Sequence, residues 1–212
     1  MNKNKGFTLI ELAIVLVIIG LLLSVVLKGQ NLIDSAKVKK VARDFQDIQL
    51  YIHGYQDRFK TLPGDDHNAD VHVAGTNPVN GTRNGVIEGP WDTADNGDES
   101  CAIWQHVRLA NSASGSTVID CSANNTYQPR NADGGLIGIQ SAANFTNPTG
   151  LRGAYVMCSD AILGRLATQL DATLDDGVGN TGALRVAVRG ATASAGVAVP
   201  LEGSTYVVCM SF

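Results

Sequence analysis

Beyond residue 60 the chain contains no lysine, and that gap removes several kinds of chemistry at once. A phosphate-cradling loop needs a lysine behind a glycine-rich turn, so residues 61–212 cannot hold a nucleotide in that way. The same stretch carries seven arginines against fifteen acids, a net charge of −8, which argues against a nucleic-acid partner. None of the four cysteines has CxxC spacing, so a zinc or dithiol redox site lacks its usual frame. The serines near a histidine lack the strand–turn–helix elbow of an activated nucleophile. No internal repeat is present. With no catalytic constellation, an enzyme is not expected.

What the chain does have is concentrated at its start. Residues 7–27 form an apolar run of 21 residues, about 31 Å as a helix and long enough to cross a bilayer core. One acid, Glu11, interrupts it. A carboxylate within such a segment is expensive unless it has a partner, so Glu11 implies a task beyond anchoring. Ahead of the run, Met1–Gly6 is short and basic; Lys3 and Lys5 hold that end in the cytoplasm by the positive-inside rule. Residues 1–60 as a whole carry a net charge of +4, which suits anionic headgroups or acidic neighbours.

Lys5-Gly6-Phe7-Thr8-Leu9-Ile10-Glu11 resembles the processing and methylation motif of class III signal peptides, found in type IV pilins and type II secretion pseudopilins. The resemblance is specific over about the first 30 residues and looser to about residue 60. It implies cleavage between Gly6 and Phe7 by a prepilin peptidase at the inner membrane, and N-methylation of Phe7. It also implies that Glu11 pairs with the N-terminal amine of a neighbouring subunit. The physics agrees: an α-amine is cationic at neutral pH, and two charges that are each costly in lipid compensate when paired. A single polar contact in an apolar strip also specifies register. The implied organisation is a leader over 1–6, a membrane and filament-core helix over 7–27, an amphipathic continuation over 28–60, and a head over 61–212.

Val38, Val41, Phe45, Ile48, Ile52, Tyr55 and Phe59 recur at spacings of three and four, one apolar stripe on a continuing helix. Thr61-Leu62-Pro63-Gly64 stops it. A helix from Phe7 to about Lys60 would be about 80 Å long. Residues 61–100 read as a long ordered loop. A short helix is predicted over Ser100–Asn111, a strand over Leu151–Cys158, and a second helix starting at Asp160 as N-cap. Closing strands are predicted over Leu184–Arg189, Gly196–Leu201 and Thr205–Phe212. The expected fold class is α+β and pilin-like: a long N-terminal helix packed on an antiparallel sheet, with long loops.

Cys101, Cys121, Cys158 and Cys209 are an even set in an exported segment, and four cysteines allow three pairings between which sequence does not choose. The likeness to pilins, where a disulfide ties the last strand to the head, favours Cys158–Cys209, leaving Cys101–Cys121 to close a local loop. Two stretches have calcium-like features. Asn80 to Glu88 has oxygen-bearing residues at alternate positions (Asn80, Thr82, Asn84), a glycine sixth and Ile87 eighth, but Trp91 stands where the twelfth-position acid belongs. Asp92, Asp95, Asp98 and Glu99 follow closely and supply charge. Asp171, Asp175 and Asp176 close the second predicted helix, where acids oppose the macrodipole and call for a cation, either Arg185 or Arg189 or a metal. His67 and His72, near Asp65, Asp66 and Asp70, are a weaker transition-metal candidate. No cofactor is required.

Taken together, the expected protein is a structural subunit of a type IV pilus or pilus-like filament. Its partners are other pilins, the prepilin peptidase and methyltransferase, and an inner-membrane assembly platform. It starts as a single-pass inner-membrane precursor and ends in a periplasmic or cell-surface filament. A type II secretion pseudopilin shares the same N-terminal signal. A membrane-tethered module binding calcium or glycan is the alternative of a different class; in that case Glu11 would be dispensable.

Overall fold

The computed structural model describes residues 8–75, 77–122, 126–191 and 193–212, in two compact units, residues 1–37 and 38–212. The N-terminal helix α1 (Leu9–Phe59) begins in the first unit and ends in the second. In the first unit, all the large apolar side chains between Leu9 and Leu27 are exposed.

The second unit is organised around the rest of α1. Val38, Val41, Ala42, Phe45, Ile48, Ile52 and Tyr55 are buried, all on the one stripe whose spacing marks it in the sequence. Lys60 then adopts φ 60°, a left-handed C-terminal stop, and Pro63 follows before a further turn can form. Four antiparallel strands form one sheet in the order β1-β2-β4-β3: β1 (Ile137–Ser141), β2 (Tyr155–Leu163), β3 (Leu184–Ala187) and β4 (Thr205–Ser211). Alternation along the strands makes two apolar faces. Met157, Tyr206 and Val208 join the α1 residues in the main core, whereas Val156, Cys158, Val207 and Cys209 pack around Trp91 on the other face. The architecture is the α+β, pilin-like one: a long apolar N-terminal helix with an antiparallel sheet.

Among the described residues, three α-helices, α2 (Ala69–His72), α3 (Glu99–Leu109) and α4 (Gly164–Leu174), and a short 3-10 turn (Ala142–Asn144) complete the second unit. Helix α3 is buried along nearly its whole length, including Gln105, His106 and Arg108. Loops on both sides satisfy Gln105 and His106. Gln105 accepts the Val79 N–H at 2.8 Å and donates to the Thr117 carbonyl at 2.9 Å. His106 accepts the Gly64 N–H on Nδ1 at 2.9 Å, and its Nε2 lies 2.6 Å from the Val79 carbonyl. Burial holds the His106 pKa below the ordinary histidine value, in keeping with a neutral ring.

Three sequence expectations need correction. The helix does not begin at Asp160; β2 continues to Leu163, and α4 starts at Gly164. A bulge between Ser159 and Ile162, with Ala161 at φ 57°, takes up the irregular register and lets Ile162 pair with Tyr206. Residues 196–201 are not a strand, although Val197 N–H donates to the Val186 carbonyl at 2.7 Å. Strand β1 was not foreseen. All five of its residues are buried, and the Trp91 backbone packs so closely on it that a Cβ on Gly138 would stand 1.9 Å from the Trp91 carbonyl oxygen.

The cysteines pair as Cys101–Cys121 and Cys158–Cys209. Cys158 and Cys209 stand directly opposite each other on β2 and β4, with their Cα atoms 4.1 Å apart. The first bond ties α3 to the loop after it.

Candidate functional site

Gly6 and Phe7 lie outside the described residues; the next residues form the start of α1. Thr8 precedes the helix and Glu11 is the third residue within it. The Thr8 N–H and hydroxyl both donate to Glu11 Oε2, at 2.8 and 2.9 Å, and the Glu11 N–H reaches Thr8 Oγ1 at 3.3 Å. This reciprocal pair is a capping box, which satisfies two of the amides that a helix start leaves open. Both side-chain bonds fall on Oε2, so Oε1 faces no donor among the described residues. Glu11 thus caps its own helix and still offers an oxygen outward. Behind it, α1 is long and apolar enough to cross a membrane; its most apolar 18-residue window has a mean hydropathy of 3.0, and none of that window is buried.

The Asn80–Glu88 loop has the opposite polarity to a cation site. Asp65 accepts the Asn84 N–H at 2.9 Å and the Gly85 N–H at 2.8 Å, and Thr82 Oγ1 lies 3.3 Å from it. Glu99 accepts the Thr82 N–H at 2.7 Å, the Thr82 hydroxyl at 2.8 Å and the Glu88 N–H at 3.0 Å. Four loop amides therefore point inward at two buried carboxylates, where a calcium loop would turn oxygens inward. Asn80 is engaged with Asp70, and Asn84 with Val86 and Glu88. Asp92 meets Arg189, Asp95 accepts the Gly97 N–H, and Asp98 accepts the Thr93 hydroxyl. The fold does not gather these residues on one ion.

The adjacent Asp66 has a separate role. Its carboxylate takes the Tyr55 hydroxyl at 2.7 Å, the Asn68 N–H at 3.0 Å and His72 Nδ1 at 2.6 Å. Burial works against its ionisation, but these bonds outweigh it and hold its pKa below the ordinary value. Sequence reasoning missed Asp65, Asp66 and Glu99 as anchors. The signal available was two adjacent acids directly after a helix-stopping Pro-Gly.

A family model described as "Prokaryotic N-terminal methylation motif" matches residues 1–27. That match, together with the fold, supports classifying the chain with the type IV pilins and pseudopilins. No curated protein and no solved structure matches it. The motif implies handling by a prepilin peptidase and methyltransferase, and the apolar helix fits a membrane-anchored precursor. The motif and the fold match a structural family, and among the described residues no catalytic cluster is evident.

The second unit does bring Asp171, Asp175 and Asp176 together: one ligand oxygen from each lies within 4.8 Å of the others. The cause is local. Asp171 sits in the last turns of α4, and the chain reverses at Gly177 with φ 82°. The Gly177 N–H donates to Asp171 Oδ1 at 3.1 Å, Leu184 N–H to Asp175 at 2.9 Å, and the Thr181 hydroxyl to Asp176 at 2.6 Å. Asp171 is fully buried, and its Oδ2 has no hydrogen-bond partner. Burial, reinforced by the two neighbouring acids, pushes its pKa up to about 6. Of the two arginines foreseen as a counter-charge, Arg189 is engaged with Asp92 and Asp160, whereas Arg185 donates to the Thr149 and Ala195 carbonyls and its charge adds to the Thr181 hydrogen bond in lowering the Asp176 pKa. Three acids at the negative end of a helix can coordinate a divalent cation.

Proposed function

We propose that the chain is a structural subunit of a type IV pilus or pilus-like filament. The observation that carries this reading is the uncovered apolar surface of α1 from Leu9 to Leu27, preceded by the methylation motif. Side chains of that kind need either lipid or other apolar helices around them. In the proposed sequence, residues 1–6 are a leader removed between Gly6 and Phe7, and the new Phe7 amine is methylated. Residues 7–27 then leave the bilayer of the inner membrane for the filament core, 28–60 continue the helix, and the head formed by 61–212 is carried outside. The outward oxygen of Glu11 receives the Phe7 amine of a neighbouring subunit while its other oxygen keeps the cap on Thr8.

Mass spectrometry of sheared surface filaments tests this directly. The expected N-terminus is methyl-Phe7, and Glu11→Ala should be processed yet absent from filaments. A chain that retains residues 1–6, or an E11A variant incorporated as well as wild type, refutes the reading.

A second reading is supported by the unpartnered Asp171 Oδ2: Asp171, Asp175 and Asp176 hold calcium. Calcium should raise the thermal midpoint of the wild-type chain at neutral pH and leave Asp175→Asn unmoved. An equal response from both removes the site.

A further inference from the structure

On the Trp91 side of the sheet, a cleft of about 440 Å³ opens between three loops, a volume typical of a small-molecule site. It is lined by Ala187 and Val207, which stand opposite each other on β3 and β4, and by Trp91, Phe145 and Arg189 from the loops. Two of its lining residues are more than nine-tenths buried and still have a donor to spare. Trp91 is 8% exposed and Gln140 5%. The Trp91 main-chain N–H donates to Gln140 Oε1 at 2.9 Å, so what this carboxamide can still offer is its NH₂. Neither Gln140 Nε2 nor Trp91 Nε1 has a hydrogen-bond partner among the described residues, yet, unlike Gln128 Nε2 and Trp104 Nε1, neither is sealed from solvent. The indole meets β1 along its Cε3 edge, which would lie 3.2 Å from a Cβ on Gly138, and Nε1 is on the other side of the ring system. Asn147, also in the lining, accepts the Ser194 N–H on Oδ1 at 3.3 Å and likewise keeps its NH₂.

The lining restricts what occupies the cleft. Spare N–H groups call for a ligand rich in acceptors. Arg189 is engaged with both Asp92 and Asp160, one cation against two acids, so no positive charge is left to draw an anion. A cation would meet Arg189 and the N–H donors. The ligand is therefore neutral, with oxygens for the donors, a hydrogen to give Asp92, and an apolar face for Phe145 and Val207. A sugar meets all three demands, since each hydroxyl both accepts and donates while the ring carries a C–H face. An extended peptide would gain most of its affinity from a sheet edge, and the edges here are taken. On β3, the Val186 N–H donates to Gly179 and the Val186 carbonyl accepts from Val197, both at 2.7 Å; on β1, the Ser141 N–H donates to Ile87 at 3.2 Å.

We propose that this cleft binds a neutral pyranose sugar, whose oxygens accept from Trp91 Nε1 and Gln140 Nε2 and whose C–H face packs on Phe145. The site lies wholly in the second unit and uses neither the N-terminal motif nor the aspartate cluster.

The chain has two tryptophans, so ¹⁵N-tryptophan labelling of the full chain in a sugar-free zwitterionic detergent gives two indole signals, assigned with Trp91→Phe. Titration with the methyl glycosides of glucose, galactose and mannose should move the Trp91 signal saturably for at least one of them and leave Trp104 in place. Gln140→Met keeps the length of the side chain but removes its NH₂, and should weaken that binding about fivefold, the loss expected for one hydrogen bond between neutral groups. A Trp91 signal static to all three glycosides overturns the proposal, as does undiminished binding by Q140M. A response to inorganic phosphate or to N-acetylalanine methylamide without one to the glycosides also overturns it, since the ligand is then an anion or a peptide. The wild-type titrations decide the matter even if Q140M fails to fold.

Discussion

Replacing Asp65 with asparagine should loosen the long loop after α1 while scarcely changing its volume. Asp65 is 2% exposed, and each of its oxygens accepts a backbone amide: Asn84 at 2.9 Å on Oδ1 and Gly85 at 2.8 Å on Oδ2. An asparagine has one oxygen. Whichever way its amide turns, one of those N–H groups meets an NH₂ and becomes an unmet buried donor. Hydrogen bonds to an ionised acceptor contribute about 1.5–3 kcal/mol, and the bond that remains loses its charge assistance. The total is about 3 kcal/mol, which for a unit of this size lowers the thermal midpoint by about 6–12 °C. The assay is thermal unfolding of the full chain in detergent, followed by near-ultraviolet circular dichroism. Asp70→Asn is the control, since Asp70 is exposed and, among the described residues, its carboxylate bonds to Asn80. A D65N midpoint within about 2 °C of wild type would refute the argument that these carboxylates hold the loop. So would restoration of D65N by calcium, because a cation would then be doing what the carboxylates are said to do.

Two further outcomes are expected. Removing the Cys158–Cys209 bond by double alanine replacement should destabilise the head more than removing Cys101–Cys121. Their sequence separations are 51 and 20, which in the loop-entropy account correspond to about 4 and about 3 kcal/mol. The reverse order of midpoints contradicts that account. Asp171 should make stability fall as pH rises between about 4 and about 6. Its folded-state pKa of about 6 lies above the ordinary aspartate value of 3.8, so the folded chain holds a proton in that window that the unfolded chain has released. Asp171→Asn should therefore exceed wild type at pH 7.5 and lose that advantage toward pH 4. A difference between the two that is independent of pH rejects this.

The readable elements were those whose periodicity has one physical cause. The α1 stripe from Val38 to Tyr55 and the helix around Ile103, Trp104 and Val107 repeat at helical spacing because each faces a core. The boundary at 160–164 was misread because Ile162 and Leu163 suit a strand and a helix equally. Only pairing with Tyr206 and Thr205 across a bulge settles the matter. Strand β1 was hidden because it is short and has Gly138, a poor strand former, in its interior, although Ile137 and Ile139 alternate with Gly138 and Gln140.

At the sites the division is similar. The Gly6–Glu11 string and the apolar run were legible because a motif of adjacent residues and an unbroken apolar stretch are both properties of contiguous chain. Local order also placed Asp171, Asp175 and Asp176 together, since they lie within one turn and a reversal. The polarity of the Asn80–Glu88 loop was not legible, because side-chain composition does not tell which way backbone amides face. Two carboxylates distant in sequence, Asp65 and Glu99, set it. Nor did composition choose among three cysteine pairings; strand register did so by placing Cys158 opposite Cys209. Sequence alone determined what short contiguous segments do in lipid and in a helix. Folding alone decided which polar groups share a buried space, because hydrogen bonding there depends on distances that only long-range packing creates.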